Sequence, residues 1–424
     1  MSIADSLKST GIADVIVVLK QARSQPPAAA EATVPADVLR HFRSSPLSQD
    51  AALLEALNAR GASFSTRGAA GGTSAAHISA AAEPDSKARY FPNLGLALGT
   101  VDRASLAALR KEDAVDRVVA APQLRLIKPV AAAAAEVQAG YSWGLRALGI
   151  DRLHAQGLSG KDVLVGHLDT GVDASHPALA GVVKAFAEFD SLGGQVPGAS
   201  AKDSGRHGTH TAGTIAGQPV KGVHFGVAPG ARLASAMVIE GGNVLARILG
   251  GMNWVVGQRV RVLSMSLGIG GYDEAFLALT QILRMRGVLP VFAVGNEGAG
   301  TSRYPGNYAE ALSVGATGSS GMVVDFSSSQ RFKRKKDPVV PDLVAPGEDV
   351  VSCVPGGTYM QMSGTSMATP HVAGLAALLM EARPAKTIDE IEAAIFKACA
   401  LKSGMLASRA NRGFPDGVKA LGFL

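Results

Sequence analysis

Four largely apolar runs constrain the fold of this chain more than any other feature. They occupy residues 163–168, 233–238, 260–267 and 288–294, and stretches with helical spacing of apolar residues separate them. Strands read as continuous apolar runs when helices cover both faces of a parallel sheet. The pattern therefore predicts an α/β fold with a doubly wound, mostly parallel sheet. In such sheets ligands bind at the carboxyl ends of the strands.

The first third of the chain has a different pattern. Residues 12–20 predict a strand, residues 35–61 carry helical spacing, and residues 90–127 predict further strands and a short helix. Residues 61–89 are rich in Gly, Ala and Ser and predict a flexible insertion. The small-residue stretch 129–138 marks a boundary, with an Ala-rich helix as the alternative. We therefore expect a small α+β domain over residues 1–137 and a larger domain over residues 138–424.

Composition narrows the classes of function. Of the 424 residues, 47% are hydrophobic and 18% charged, so the chain can bury a core. The net charge is +6, but the basic run at 331–336 contains a single aromatic residue, Phe332, and no recognised nucleic-acid module accompanies it, so it predicts a solvated loop rather than a nucleic-acid interface. Cys353 and Cys399 are too few for a disulfide framework, although one bridge stays open.

The sequence shows neither a secretory leader nor a membrane-spanning stretch. The first 20 residues lack the charged and apolar regions of a secretory leader, and no apolar stretch approaches the ~20 residues that span a bilayer. We expect a soluble protein with no membrane partner. Its compartment stays open between the cytoplasm and a non-Sec export route.

Three short motifs carry reactive side chains. Asp169, in LDTGVDASHP, ends an apolar run; His207, in HGTHTAGTIAG, begins a predicted helix. Ser366, in GTSMATPHVAGLAALL, lies at a helix N-terminus, where backbone N–H groups stabilise an anion. They are candidates for an orienting acid, a base and a nucleophile. Each alone could be an ordinary N-cap or packed residue.

Taken together and in this order, the three motifs resemble the active-site blocks of the subtilisin-like serine proteases (subtilases). The resemblance implies a serine endopeptidase in which Ser366 attacks the scissile carbonyl, His207 transfers the proton and Asp169 orients His207. Asn296, in AVGNEG, resembles the family's oxyanion-hole asparagine, with the Ser366 backbone N–H as the second donor.

The resemblance also implies a cleft that binds peptide as an added strand between two backbone edges. These edges would be SMSLG at 264–268 and EGGN at 240–243, with an apolar S4 pocket beside them. The expected substrate-binding residues are Gly241, Gly242, Ser266, Leu267, Gly268, Leu245 and Ile248, although the last two could equally be the core face of a helix.

Arg303 precedes Tyr304-Pro305, a pair that resembles the X-Pro step after the family's S1 wall. An inward Arg303 would favour an acidic P1 side chain, whereas an outward one would leave the S1 pocket short or apolar. Glu136 in the domain boundary is then a candidate P1 residue for self-cleavage.

The first domain resembles, less specifically, the propeptide of these proteases. That implies a self-processing zymogen whose residues 124–137 inhibit the active site until cleavage. Two alternatives stay open: a dedicated maturation protease for one partner, and an inhibited, non-catalytic binding module.

Two departures from the family pattern concern metals. Ala178 and the segment GQPVKG stand where the family's strong calcium site has its ligands, so we expect that site to be missing and no cofactor to be required. Other calcium sites stay open. His210 follows His207 at the wrong spacing for a zinc metalloprotease helix, and His167 is expected to be a core histidine.

Overall fold

The structure is a computed structural model that describes residues 2–20, 35–43, 88–240 and 244–424. Most of the predicted 61–89 insertion, and the helical prediction beyond residue 43, lie outside these ranges. Ala88 and Arg89, assigned to the insertion from sequence, are instead the start of a strand, because they pair with Gly99 and Leu98. Within the described ranges, every helix is too short or too polar to span a bilayer.

The described residues form helices α1 to α12 and two short 3₁₀ turns, at Pro177–Leu179 and Glu274–Phe276. The helices are α1 (Ile3–Ser9), α2 (Ala36–Leu39), α3 (Arg103–Leu109), α4 (Trp143–Ala147), α5 (Ile150–Ala155), α6 (His207–Ala216), α7 (Val244–Gly257), α8 (Leu277–Met285), α9 (Thr365–Ala382), α10 (Ile388–Lys397), α11 (Ala407–Ala410) and α12 (Gly417–Gly422).

The strands are β1 (Ile12–Leu19), β2 (Ala88–Phe91), β3 (Leu96–Asp102), β4 (Val115–Ala120), β5 (Arg125–Leu126), β6 (Ala131–Ala134), β7 (Gly140–Tyr141), β8 (Leu164–Asp169), β9 (Val183–Glu188), β10 (Val223–His224), β11 (Arg232–Met237), β12 (Val262–Met265), β13 (Leu267–Gly270), β14 (Leu289–Ala293), β15 (Arg303–Tyr304), β16 (Leu312–Thr317), β17 (Gln330–Arg331), β18 (Val339–Val340), β19 (Leu343–Pro346), β20 (Val350–Val354), β21 (Thr358–Ser363), β22 (Cys399–Ala400) and β23 (Phe414–Pro415).

A seven-stranded sheet in the order β19-β16-β14-β12-β8-β11-β9 forms the centre of the larger unit, and every pairing in it is parallel. Adjacent residues of one strand, such as Val262 and Leu263, belong to different buried clusters. One cluster contains residues of α6 and α9, and the other contains residues of α7 and α8. The prediction of a parallel sheet with helices on both faces is confirmed.

The N-terminal unit is a four-stranded antiparallel sheet in the order β2-β3-β1-β4. Val15, Val17 and Leu19 pack with the unit's own helices. Ile16 and Val18, on the opposite face of β1, are buried in the cluster that contains helices α7 and α8. Both faces of this sheet are therefore covered, one by its own helices and one by the larger unit.

Candidate active site

The ends of neighbouring central strands bring polar side chains to one edge of the sheet. Asp169 is the last residue of β8, Ser266 directly follows β12, and Asn296 follows β14 by three residues. His207 and Ser366 are the first and second residues of the buried helices α6 and α9. The site thus lies where a doubly wound sheet places its ligands.

Asp169 and His207 form a buried hydrogen-bonded pair. Nδ1 of His207 donates to Oδ1 of Asp169 at 2.7 Å, and the Thr170 amide donates to the same oxygen at 2.7 Å. Burial opposes the charge of Asp169, but the charge and hydrogen bond of His207 outweigh it and lower the pKa of the carboxyl. A Cβ on Gly208 would lie 2.0 Å from the carbonyl oxygen of Gly171, so this close approach of helix and strand end requires glycine.

Ser366 is fully buried, and its hydroxyl does not form a hydrogen bond with His207. Oγ of Ser366 donates to the carbonyl oxygen of Ile127 at 2.6 Å. Nε2 of His207 is buried and has no hydrogen-bond partner among the described residues. The Ser366 hydroxyl therefore faces a carbonyl of the chain's own N-terminal segment.

Asn296 is oriented by Thr365. The amide and the hydroxyl of Thr365 both donate to Oδ1 of Asn296, at 2.9 and 2.8 Å, which fixes the side-chain amide. Nδ2 is left to donate outward, to the carbonyl oxygen of Lys128 at 2.9 Å. A Cβ on Gly364 would lie 3.1 Å from this Nδ2 and 3.5 Å from Cα of Pro129, so the glycine lets the segment approach.

The segment runs through the site as an extended chain. Strand β5 pairs antiparallel with β13, with Leu126 opposite Leu267, and the Ile127 amide donates to the Ser266 carbonyl at 3.0 Å. Beyond the catalytic centre, β6 pairs antiparallel with β21, and the Val130 amide donates to the Ser363 carbonyl at 2.8 Å. The Ala-rich stretch is thus a strand and not a helix.

This arrangement also differs from the expected cleavage after Glu136. The carbonyl at Ser366 belongs to Ile127, nine residues earlier in the chain. The reason is that Ala131–Ala134 is held against β21 and so lies past the catalytic serine.

Some of the expected substrate-binding residues lie close to the segment, and two lie outside the described residues. Leu245 and Ile248 are buried on α7, in the same apolar cluster as Leu124 of the segment. Gly268 pairs with Arg125 across the strand ladder. Gly241 and Gly242 lie outside the described residues.

Arg303 is neither a free inward cation nor a solvated one. Its guanidinium donates to Oε1 of Glu297, through Nε at 2.9 Å and Nη2 at 2.6 Å, and Nη1 donates to the Gly268 carbonyl at 3.1 Å. Burial opposes ionisation of Glu297, but Arg303 outweighs it and lowers the pKa of that carboxyl. The following Tyr304–Pro305 peptide bond is cis.

Several functional contacts were missed from sequence. Thr365 and Glu297 gave no signal beyond lying next to Ser366 and Asn296. Thr211 lies four residues after His207, a spacing that places both on one helix face and could have identified it. It contacts both Asp169 and His167.

The disulfide that the sequence left open is not formed. Both cysteines are free. In the part of the chain that the structure describes, no three His, Cys, Asp or Glu side chains are grouped to hold a metal ion. Since calcium is also bound by backbone carbonyls, this finding does not test the predicted loss of the family's strong calcium site.

Comparison with known proteins identifies the family. Residues 160–416 match the Subtilase family model (Peptidase_S8). The chain belongs to the subtilase family. It is 38% identical to Subtilisin Savinase of Lederbergia lenta over 245 residues, which are 57% of this chain and 85% of that protein. The same share of this chain is 38% identical to M-protease of Shouchella clausii (strain KSM-K16) but covers 60% of that protein.

A longer match extends into the N-terminal third. The chain is 33% identical to Subtilisin E of Bacillus subtilis (strain 168) over 311 residues, which are 72% of this chain and 75% of that protein. Membership of the subtilases makes this chain a serine endopeptidase, a hydrolase that acts on peptide or protein substrates.

Proposed function

We propose that this subtilase is a self-processing zymogen whose residues 124–134 occupy its own active site until they are cut. The observation that carries this proposal is the hydrogen bond from Oγ of Ser366 to the Ile127 carbonyl. This contact supports Ile127–Lys128 as the bond that Ser366 cuts.

The catalytic roles follow from the contacts. Ser366 attacks the Ile127 carbonyl carbon while His207 accepts its proton, and Asp169 stabilises the imidazolium. The Ile127–Lys128 bond then breaks, the proton passes from His207 to the Lys128 nitrogen, and the acyl group stays on Ser366. Water, deprotonated by His207, releases the Ile127 carboxylate and restores the serine.

Ser366 and Asn296 contact two different carbonyls of the segment, which supports inhibition before cleavage. Ser366 contacts the Ile127 carbonyl, whereas the oxyanion donor of Asn296 contacts the next one, that of Lys128. Nucleophile and donor must act on the same carbonyl for the oxyanion to be stabilised. The Ile127 carbonyl must therefore reach Nδ2 of Asn296 before the Ile127–Lys128 bond is cut, so the segment acts as an inhibitor first and a substrate second.

Docking of the N-terminal unit supports the same reading. The amide and Nδ2 of Asn93 bond to Oδ1 and the carbonyl of Asn253 on α7, at 2.8 and 2.9 Å. The apolar face of β1 and the side chain of Leu124 are buried in the same cluster. The domains proposed from sequence, 1–137 and 138–424, would separate on activation, with the boundary moved to Ile127–Lys128.

At S1 we propose that Glu297 cancels the charge of Arg303. The acidic P1 preference expected of an unpaired cation is then weak, and apolar P1 residues such as Ile127 are accepted. No metal or other cofactor is part of the proposed reaction.

The test uses the purified full chain and its Ser366→Ala variant, each followed by intact mass and by labelling with a fluorophosphonate probe. The wild type should label slowly while intact and rapidly once cut, and the variant should stay full length and unlabelled. If the wild type is neither cut nor labelled, the zymogen proposal is wrong and the inhibited binding module is the better reading.

A further inference from the structure

A second histidine lies behind the catalytic aspartate. His167 precedes Asp169 by two residues on β8, and each is 1% exposed. Side chains at i and i+2 of a strand point to the same face. Nε2 of His167 is nevertheless 3.9 Å from Oδ2 of Asp169, too far for a direct hydrogen bond. The contact between them passes through Thr211.

Thr211 bridges the two residues from helix α6. Its Oγ1 is 2.9 Å from Nε2 of His167 and 3.2 Å from Oδ2 of Asp169. The same hydroxyl lies 3.2 Å from the His207 carbonyl and 3.1 Å from the Gly208 carbonyl, but an ionised carboxylate is the stronger acceptor, so we assign its one proton to Oδ2. The hydroxyl oxygen then accepts from the N–H at Nε2 of His167.

Ser235 on β11 completes the chain. Its Oγ is 2.9 Å from Nδ1 of His167. Because a neutral imidazole that carries its hydrogen on Nε2 accepts at Nδ1, Ser235 is the donor. The hydrogen bonds therefore run in one direction, from Ser235 to His167, to Thr211, to Asp169. All four side chains are buried, and hydrogen bonds in such a medium reinforce one another.

The charge of His167 fits this chain. Burial lowers the pKa of His167; the negative charges of Asp169 and Asp203 oppose that effect, and His207 adds to it. A neutral His167 can donate to Thr211 without competing with His207 for the charge of Asp169.

The two oxygens of Asp169 depend on different donors. Oδ1 accepts from His207 and from the Thr170 amide. For Oδ2, the donor that the described residues supply is the Thr211 hydroxyl. Without it, a buried carboxylate oxygen would be left unsatisfied and the group would be free to rotate about its Cβ–Cγ bond.

Other buried histidines of this fold bond differently. Nε2 of His210 lies 3.0 Å from the Val350 carbonyl, and Nδ1 of His371 lies 2.8 Å from the Met367 carbonyl. Their partners are backbone carbonyls, as expected of histidines that only fill a core. Both partners of His167 are side-chain hydroxyls, one of which contacts the catalytic aspartate.

We propose that His167, acting through Thr211 with Ser235 behind it, is a positioning residue that fixes the Asp169 carboxylate and so the imidazole of His207. The inference rests on the triad roles proposed above. It assigns a role in turnover to a residue that the sequence predicts to be only a buried core histidine.

Helix α6 supplies a matched pair of variants. Thr211 and Thr214 are both buried on this helix, and each has its hydroxyl within hydrogen-bond distance of the carbonyl four residues back, at 3.2 and 2.9 Å. Thr211 also lies 3.1 Å from the Gly208 carbonyl. Thr211→Val removes the donor to Asp169, whereas Thr214→Val removes only a backbone contact.

We expect Thr211→Val to lower kcat by about 10–100-fold, the cost of misplacing a catalytic group, with KM changed less than about threefold. The acidic limb of the kcat/KM profile should move to lower pH, because a loosely held carboxylate stabilises the imidazolium less. The other titratable groups that act on His167 and Asp169 are His207 and Asp203. Thr214→Val should keep the wild-type kcat and pH profile. Equal effects of the two variants would overturn the proposal.

Variants of His167 test the direction of the chain. The side-chain amide of His167→Gln can still donate to Thr211, so this variant should retain kcat within about fivefold. His167→Leu should behave like Thr211→Val. A His167→Leu enzyme with wild-type kcat and pH profile would contradict the proposal. If it does not fold, Ser235→Ala removes one distant hydroxyl and should still shift the acidic limb, and an unchanged limb would equally contradict it.

Activity is expressed per Ser366 labelled by the fluorophosphonate, so that uncut molecules are not counted. Failure of the wild type to label would refute the triad roles themselves. Normal labelling and turnover of the wild type, with no difference between Thr211→Val and Thr214→Val, would refute only the role of His167.

Discussion

The two sides of the catalytic centre are built from different kinds of contact. The front is the side that the segment at 124–134 covers, and the back is the side behind Asp169. In front, the segment at 124–134 is held largely by backbone hydrogen bonds to strands β13 and β21, which any extended chain can make. Behind Asp169, side chains alone form the chain from Ser235 to Thr211, and only these residue types complete it. Substitutions in front should therefore change what is bound and when the enzyme becomes active, while substitutions behind should change turnover.

The largest effect is expected at the oxyanion donor, which belongs to the catalytic centre between these two sets of contacts. Asn296→Ala should lower kcat by about 10²–10³, a magnitude carried over from the same donor in subtilisin, with little change in KM. The physical reason is that Nδ2 acts on charge that develops in the transition state. Steady-state kinetics on a peptide substrate measures this, and a loss below tenfold would mean that Asn296 does not serve as the donor.

Leu124 should govern how tightly the segment is held. Leu124→Ala removes part of a buried side chain worth about 1.5–3 kcal/mol, and should speed fluorophosphonate labelling of the uncut chain by about 10–100-fold. Val130→Ala, at a site 49% exposed, is the control and should not change the rate. The kcat of the processed enzyme should be unaffected. Labelling at the wild-type rate would show that Leu124 does not anchor the segment.

A smaller effect is expected at S1. Glu297→Gln removes the partner of Arg303 and should raise the preference for acidic over apolar P1 residues by about tenfold in kcat/KM. A P1 library measures the ratio, with Glu274→Gln on the exposed surface as control. An unchanged ratio would mean that Arg303 does not contact P1.

The smallest effect is expected from chelation. Because the family's strong calcium site is predicted to be missing, EDTA should leave the thermal midpoint of the processed enzyme unchanged. A drop of more than about 4 °C, which corresponds to roughly 1 kcal/mol or more for a domain of this size, would reveal that the enzyme does bind a stabilising calcium ion.

The sequence predicted the parts of this molecule that local patterns encode. Largely apolar runs predict the central sheet, and short motifs identify Asp169 and Asn296, which end or follow its strands. The strand at Ala131–Ala134 could not be predicted, because its partner β21 lies more than 220 residues away. Likewise, pairing of Arg303 with Glu297 depends on the path of a loop, which has no periodicity.

We propose that the chain cuts its own Ile127–Lys128 bond, whose carbonyl it holds at Ser366. The most direct measurement is the N-terminal sequence of the catalytic fragment that the purified wild type produces, beside the Ser366→Ala chain. The claim predicts a fragment beginning at Lys128 and an uncut variant. A fragment beginning after residue 134, or a variant cut as readily as the wild type, would contradict it.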